Sequence, residues 1–188
     1  MLLTPRVTLV AALFALSPSL ATGQAHGNKM WAFHGGVVIP EEASVYLDDP
    51  LDGWADRKVS VTGGATYYFS GGSSFRYGIF SEFETINFDV DTGFRLGTGL
   101  AFAGRHPAQG TGLQLGGGIG LSYASLGDLD GQIGLDFQVA IGPVFPVSPK
   151  VDLGIHLVGF YGWYGGGDVP EGVMNANGRV RAQVQFHR

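Results

Sequence analysis

From Lys29 onward, apolar residues recur at every second position in eight successive runs. Period two marks a strand with one apolar face. The first run sets Trp31, Phe33, Val37 and Ile39 against Ala32, His34, Gly36 and Val38. The second carries Val59, Val61, Ala65, Tyr67 and Phe69, and the third Phe75, Tyr77, Ile79 and Phe83. Phe94, Leu96, Leu100 and Phe102 form the fourth, and Leu113, Leu115, Ile119, Leu121 and Tyr123 the fifth. The sixth holds Ile133, Leu135, Phe137, Val139 and Ile141, the seventh Val151, Leu153, Ile155 and Leu157, and the eighth Val180, Ala182, Val184 and Phe186. No helical period competes after the first 25 residues. The pattern predicts an all-β chain of eight strands. Each run exceeds the ~5–6 residues of an ordinary globular strand and suits a tilted membrane-crossing strand of ~9–11. An even strand count returns both termini to one side.

The alternate positions decide which face meets water. They carry Gly, Ala, Ser and Gln with a few charges of both signs. A solvated face would be rich in Lys, Glu and Thr, whereas this one is rich in glycine. The inverted arrangement follows: apolar residues face lipid, and small or polar residues fill a narrow lumen. Eight strands leave an interior just wide enough for side chains. Among strand structures only a closed barrel satisfies its backbone polar groups in lipid. The predicted fold is therefore an antiparallel up-and-down transmembrane β-barrel. Aromatic residues cluster toward the run ends, as the two interfacial belts of such a barrel require. Trp31, Phe33, Tyr67, Phe69, Phe75 and Tyr77 are expected in one belt. Phe94, Tyr123, Phe160 and Tyr161 are expected in the other, with Trp163 and Tyr164 just beyond.

Composition narrows the chemistry. The 188-residue chain has no cysteine, which removes disulfides and thiolate zinc sites. A net charge of -5 argues against a nucleic-acid partner, which needs a basic face. Residues 1–25 read as a signal peptide: Arg6, an apolar stretch from Val7 to Leu16, then small residues with candidate cleavage after Ala21, Gly23 or Ala25. That stretch is shorter than the ~20 residues a membrane helix needs. Residues 26–188 then form one barrel domain.

With the N-terminus periplasmic, the external connections are 40–57, 88–93, 125–131 and 162–177. They hold 12 of the 16 acids and one base, Arg57. The opposite connections, 70–74, 104–111 and 143–149, hold no acid and one base, Arg105. Within the external set, Tyr46, Trp54, Trp163 and Tyr164 are aromatic residues expected in loops. They are candidates for recognising an extracellular ligand or surface.

On signal, strand count, alternation and final strand, the mature chain resembles the small eight-stranded outer-membrane β-barrel proteins of Gram-negative bacteria, of the OmpA/OmpX-like kind. The resemblance implies a monomer in the cell outer membrane, in contact with outer-membrane lipid and lipopolysaccharide. It also implies a last strand read by the barrel-insertion machinery. Val180, Ala182, Val184 and Phe186 match that pattern, although His187 and Arg188 follow where a terminal aromatic residue is usual. The role implied is structural or surface-interacting rather than enzymatic.

Arg76, Glu82, Glu84, Arg95, Asp136, Asp152, His156, Arg179 and Arg181 share the lumen face. Charges in a narrow barrel are costly unless paired, so these residues are expected to form a structural ion-pair network that plugs the lumen. Glu84 and Arg95 are expected diagonally across the 88–93 hairpin. Lipid A deacylases and acyltransferases share this size and strand count. A deacylase would need His beside Ser on the lipid-facing side. That side offers Ser81, Thr85 and Thr98 but no His. A soluble lipocalin-like carrier would reverse the two faces. Asp89-Val-Asp91-Thr-Gly93 and Asp128-Leu-Asp130-Gly131 echo calcium loops but lack the remaining oxygen ligands and the closing Glu. No cofactor motif is present: the Gly116–Gly120 stretch has no P-loop Lys and lies in a strand.

Overall fold

Eight antiparallel strands pair in chain order and close on themselves in the computed structural model of the protein. They are β1 (Met30–Ile39), β2 (Ser60–Gly71), β3 (Phe75–Asn87), β4 (Thr92–His106), β5 (Gly112–Leu126), β6 (Leu129–Ser148), β7 (Val151–Gly166) and β8 (Val169–His187). The structure describes residues 29–39, 58–71, 74–87, 92–126, 129–166 and 169–187. The predicted signal peptide lies outside them, as does the 40–57 connection with Tyr46 and Trp54. Closure is made by β1 against β8, in register from Met30↔His187 to Ile39↔Gly178. Every strand thereby has two neighbours, and no edge is left to carry unpaired N–H and C=O groups.

The pleat sends alternate side chains to opposite faces, and the exterior takes the large hydrophobic residues. Leu100 is 62% exposed, Leu157 60% and Ile133 67%. The interior takes the charges: Glu84 is 0% exposed and Arg95 1%. A soluble protein buries the first set and solvates the second, so the outer surface is built for an apolar solvent. Trp31, Phe33, Tyr67, Phe69, Tyr77 and Phe186 pack in a row around the end that holds the termini. Phe94 and Tyr123 pair near the other end.

Space inside is allotted by side-chain size. The ring of Phe80 lies across the glycine stripe of β5. A Cβ on Gly118 would fall 2.8 Å from Phe80 Cε1, and one on Gly120 3.0 Å from Cζ. These glycines make room for an aromatic ring from β3.

The strands at the carboxyl-terminal end are longer than the alternation indicates. β7 runs to Gly166 and β8 starts at Val169, so most of the expected 162–177 loop is strand. The same holds for 143–148 in β6. Two features hide these extensions. Beyond Leu157, glycine takes an outward position (Gly159) while large aromatic residues point inward (Phe160, Tyr164), so the apolar period disappears. In β6, Pro143 and Pro146 look like strand breakers. The β6–β7 register passes over Gly142 and Pro143, where proline has no N–H to donate, and is bulged between Pro146 and Ser148. Of the acids assigned to external connections, Asp130 belongs to β6 and Glu171 to β8. The Asp residues at 89, 91, 128 and 168 lie outside the described residues.

This inside-out arrangement predicts position-dependent penalties. Leu100 pairs with Ile79 and Ile119, and Leu157 with Ile141 and Val180, far from both aromatic rows. Leu100→Arg and Leu157→Arg should each destabilise the folded barrel by about 2–4 kcal/mol in equilibrium unfolding from lipid vesicles. Val59→Arg, at the barrel rim, should cost less than about 1 kcal/mol.

Candidate functional site: the charged lumen

The barrel interior gathers carboxylates from β3 and β6 against guanidiniums from β4 and β8. Glu84 and Arg95 stand directly opposite in the β3–β4 register, not diagonally, because the hairpin is shorter than the 88–93 connection implies. Arg95 Nε donates to Glu84 Oε2 at 3.0 Å, and Nη1 donates to Asp136 Oδ2 at 2.6 Å. Its remaining nitrogen, Nη2, donates to Glu82 Oε1. Arg179 crosses from β8 to the same two glutamates. Its Nη2 donates to Glu84 Oε2 at 2.7 Å and its Nη1 to Glu82 Oε1. Arg181 Nη2 donates to Glu82 Oε2 at 2.5 Å and to Gln138 Oε1 at 2.9 Å.

Three guanidiniums thus face three carboxylates, so the formal charges of the cluster cancel. Cancellation and dense hydrogen bonding are what an ionised group needs to survive away from water. The Phe160 ring completes the enclosure. Arg179 Cζ lies 3.8 Å from its centroid and Arg95 Cζ 4.5 Å, so one ring stacks on two cations. Asp136 Oδ1 accepts from Ser122 Oγ at 3.0 Å and Tyr164 Oη at 3.1 Å. Asn177 Oδ1 accepts from Arg179 Nε at 2.8 Å. His34 Nε2 lies 3.3 Å from Glu82 Oε2.

The remaining lumen residues sit elsewhere. Asp152 lies near the terminal end, where Arg105 Nη1 donates to its Oδ2 at 2.5 Å and His187 Nε2 is 2.8 Å from the same oxygen. Arg76 places Nη1 2.6 Å from Met30 Sδ. His156 is buried with no hydrogen-bond partner on either ring nitrogen among the described residues. The structure therefore brings six of the nine residues into one cluster, puts Asp152 in a second, and leaves Arg76 and His156 in neither.

Two sequence expectations are corrected. Trp163 and Tyr164 belong to β7, not to a loop. Trp163 faces outward, and Tyr164 is buried against Asp136. Phe160 faces inward to the arginines instead of joining a belt. The final-strand pattern Val180, Ala182, Val184 and Phe186 faces outward, with Phe186 edge-on to Phe33 at 6.0 Å. The His187 after it is held by Asp152 and by its own N–H to the Lys150 carbonyl at 2.9 Å. Sequence reasoning passed over Tyr164, Phe160, Gln138 and Ser122 as cluster members. Gln138 and Ser122 carried the one available signal, their position on the small-residue face. The outward hydroxyls of Thr98 and Thr85 are engaged with backbone. Thr98 Oγ1 donates to the Phe80 carbonyl at 2.9 Å, and Thr85 Oγ1 accepts the Val61 N–H at 3.1 Å. Among the described residues no group of three His, Asp or Glu is arranged to hold a metal ion.

The shared carboxylates predict strong coupling. Glu84→Gln and Arg95→Gln should each destabilise the barrel by about 3–5 kcal/mol, because each leaves an opposite charge buried. The double variant should cost less than the sum by at least about 1 kcal/mol in a double-mutant cycle. Strict additivity would separate the two residues energetically.

No protein-family model matches the chain, and no curated protein matches it. Solved structures do. The crystal structure of neisserial surface protein A matches with a TM-score of 0.56 at 20% identity, covering 87% of this chain and 98% of the other. The outer membrane protein OprG from Pseudomonas aeruginosa matches with a TM-score of 0.55 at 9% identity, covering 89% of this chain and 99% of the other. The likeness is one of fold, and the fold is that of a closed eight-stranded transmembrane β-barrel.

Proposed function

We propose that this chain is an outer-membrane β-barrel protein whose lumen is closed by its own side chains. Its role is structural or surface-interacting rather than conductive or catalytic. The observation that carries this reading is the charge-cancelled cluster of Glu82, Glu84, Arg95, Asp136, Arg179 and Arg181 across the interior. An ion would have to displace guanidinium–carboxylate bonds to pass, and these are among the stronger hydrogen bonds in proteins. The exterior supports the membrane setting: apolar side chains surround the barrel, and aromatic residues gather toward its ends. The fold neighbours support the outer membrane as the compartment; in this reading lipopolysaccharide and phospholipid surround the barrel, and the barrel-insertion machinery is its route in.

Surface interaction, in this reading, belongs to the external connections. The 40–57 segment carries six acids interleaved with Tyr46 and Trp54. That chemistry suits a basic or amphipathic partner, or a divalent-bridged contact with lipopolysaccharide phosphates.

Two measurements test the proposal. The purified protein should migrate differently before and after boiling, yet give no resolvable ion conductance in planar bilayers. Stable open-channel conductance from the unmodified barrel would overturn the closed-lumen reading. Replacing residues 41–56 with a short Gly-Ser turn should leave heat-modifiable migration unchanged while altering adhesion or EDTA sensitivity of the cells. Unaltered surface phenotypes would remove the recognition role of that segment.

A further inference from the structure

A groove of about 750 Å³ crosses the exterior of β6, β7, β8 and β1 toward the terminal end of the barrel. Large side chains, Phe33, Phe145, Leu153 and Val184, wall it, while Gly35 and Ala182 line it. Gly35 and Ala182 are directly paired across the β1–β8 seam, so two small outward positions coincide there. Backbone geometry does not demand the glycine: a Cβ on Gly35 would come no nearer than 3.8 Å to its neighbours. The depression is thus a property of the outer surface, not a by-product of interior packing.

Charge lies just below it. The β6–β7 turn ends in Lys150, and Lys29 precedes β1. The His187 N–H bond to the Lys150 carbonyl ties that turn to the last strand, and His187 pairs with Met30, next to Lys29. Both lysines are exposed, and neither ammonium has a carboxylate partner among the described residues. The one acid described at this end, Asp152, turns inward and is engaged by Arg105 and His187. Trp31 and Phe186 mark the interfacial level between groove and lysines. Four residues of extended chain separate Phe33 from Lys29, about 13 Å along the strand and about 10 Å along the membrane normal at the ~40° tilt of barrel strands. This matches the step from acyl chain to phosphate in a phospholipid.

We propose that this face binds one anionic phospholipid of the periplasmic leaflet, its acyl chain in the groove and its phosphate between Lys29 and Lys150. The assignment rests on the membrane-barrel reading above. Recognition combines shape with charge: acyl carbons fill a depression that bulk lipid would have to deform to reach, and two lysines with no carboxylate partner among the described residues sit at headgroup depth.

The test uses the full mature barrel refolded into phosphatidylcholine vesicles containing a minority of phosphatidylglycerol. Trp54→Phe and Trp163→Phe leave Trp31, which stacks on Phe33 at 5.9 Å, as the single fluorophore. Acyl chains brominated on one lipid or the other report which of them sits beside it. Bromo-phosphatidylglycerol should occupy the site about fivefold or more in preference to bromo-phosphatidylcholine, the discrimination expected of one lysine or more at headgroup level. Lys29→Gln with Lys150→Gln should bring the ratio to about one, and so should Gly35→Leu with Ala182→Leu while the lysines remain. Equal quenching in the parent overturns the lipid site. A preference that survives the groove-filling pair also overturns it, by reducing the effect to rim electrostatics. Heat-modifiable migration is read for every variant. If the parent fails to insert into vesicles, the membrane reading itself falls; insertion without selectivity removes only this site.

Discussion

Inside a bilayer no water is available to a backbone N–H or C=O, and each unsatisfied group costs several kcal/mol. A sheet answers this only by closing, and here closure is the pairing of β1 with β8 from Met30↔His187 to Ile39↔Gly178. Most other features follow from that seam. Eight closed strands leave room for little more than side chains, so the inward positions must be chosen by volume as well as polarity. Phe80 fits because Gly118 and Gly120 face it. The carboxyl terminus is held where the seam ends, with His187 bonded to Asp152 and to the β6–β7 turn.

The charged lumen has a second consequence. A buried ion cluster is rarely the most stable filling for a core, since well-packed apolar residues of similar volume often do better. In a membrane barrel it separates the two faces. A one-residue slip in a strand that carries lumen charges would send those charges into lipid and its outward apolar residues into the lumen. For β3 that slip exposes Glu82 and Glu84; for β8 it exposes Arg179 and Arg181. The same residues that cancel one another inside therefore enforce the register of the strands that carry them. Phe160 belongs to this arrangement as a large aromatic side chain stacked against two of the arginines.

The exterior is not uniform either. Most outward positions are large, but Gly35 and Ala182 meet at the closing seam and open a depression above Lys29 and Lys150. Shape and charge thus coincide on the face made by the first strand and the last three.

The sequence by itself determined the strand number, the antiparallel all-β class and the facing of the residues in each run. A period of two, repeated eight times, is the signature of strands, and a second face rich in glycine and poor in charge suits a narrow lumen better than a solvated exterior. The lumen position of Glu82, Glu84, Arg95, Asp136, Arg179 and Arg181 was legible for the same reason. Their partners were not. Arg179 meets Glu82 and Glu84 from strands that lie nearly a hundred residues apart along the chain. Only closure and the tilt of the strands decide which inward side chains share a level. Tertiary structure also decided the length of β7 and β8. There the inward residues Phe160 and Tyr164 are aromatic because they serve arginine and aspartate partners, and an apolar inward residue erases the alternation on which a sequence reading depends.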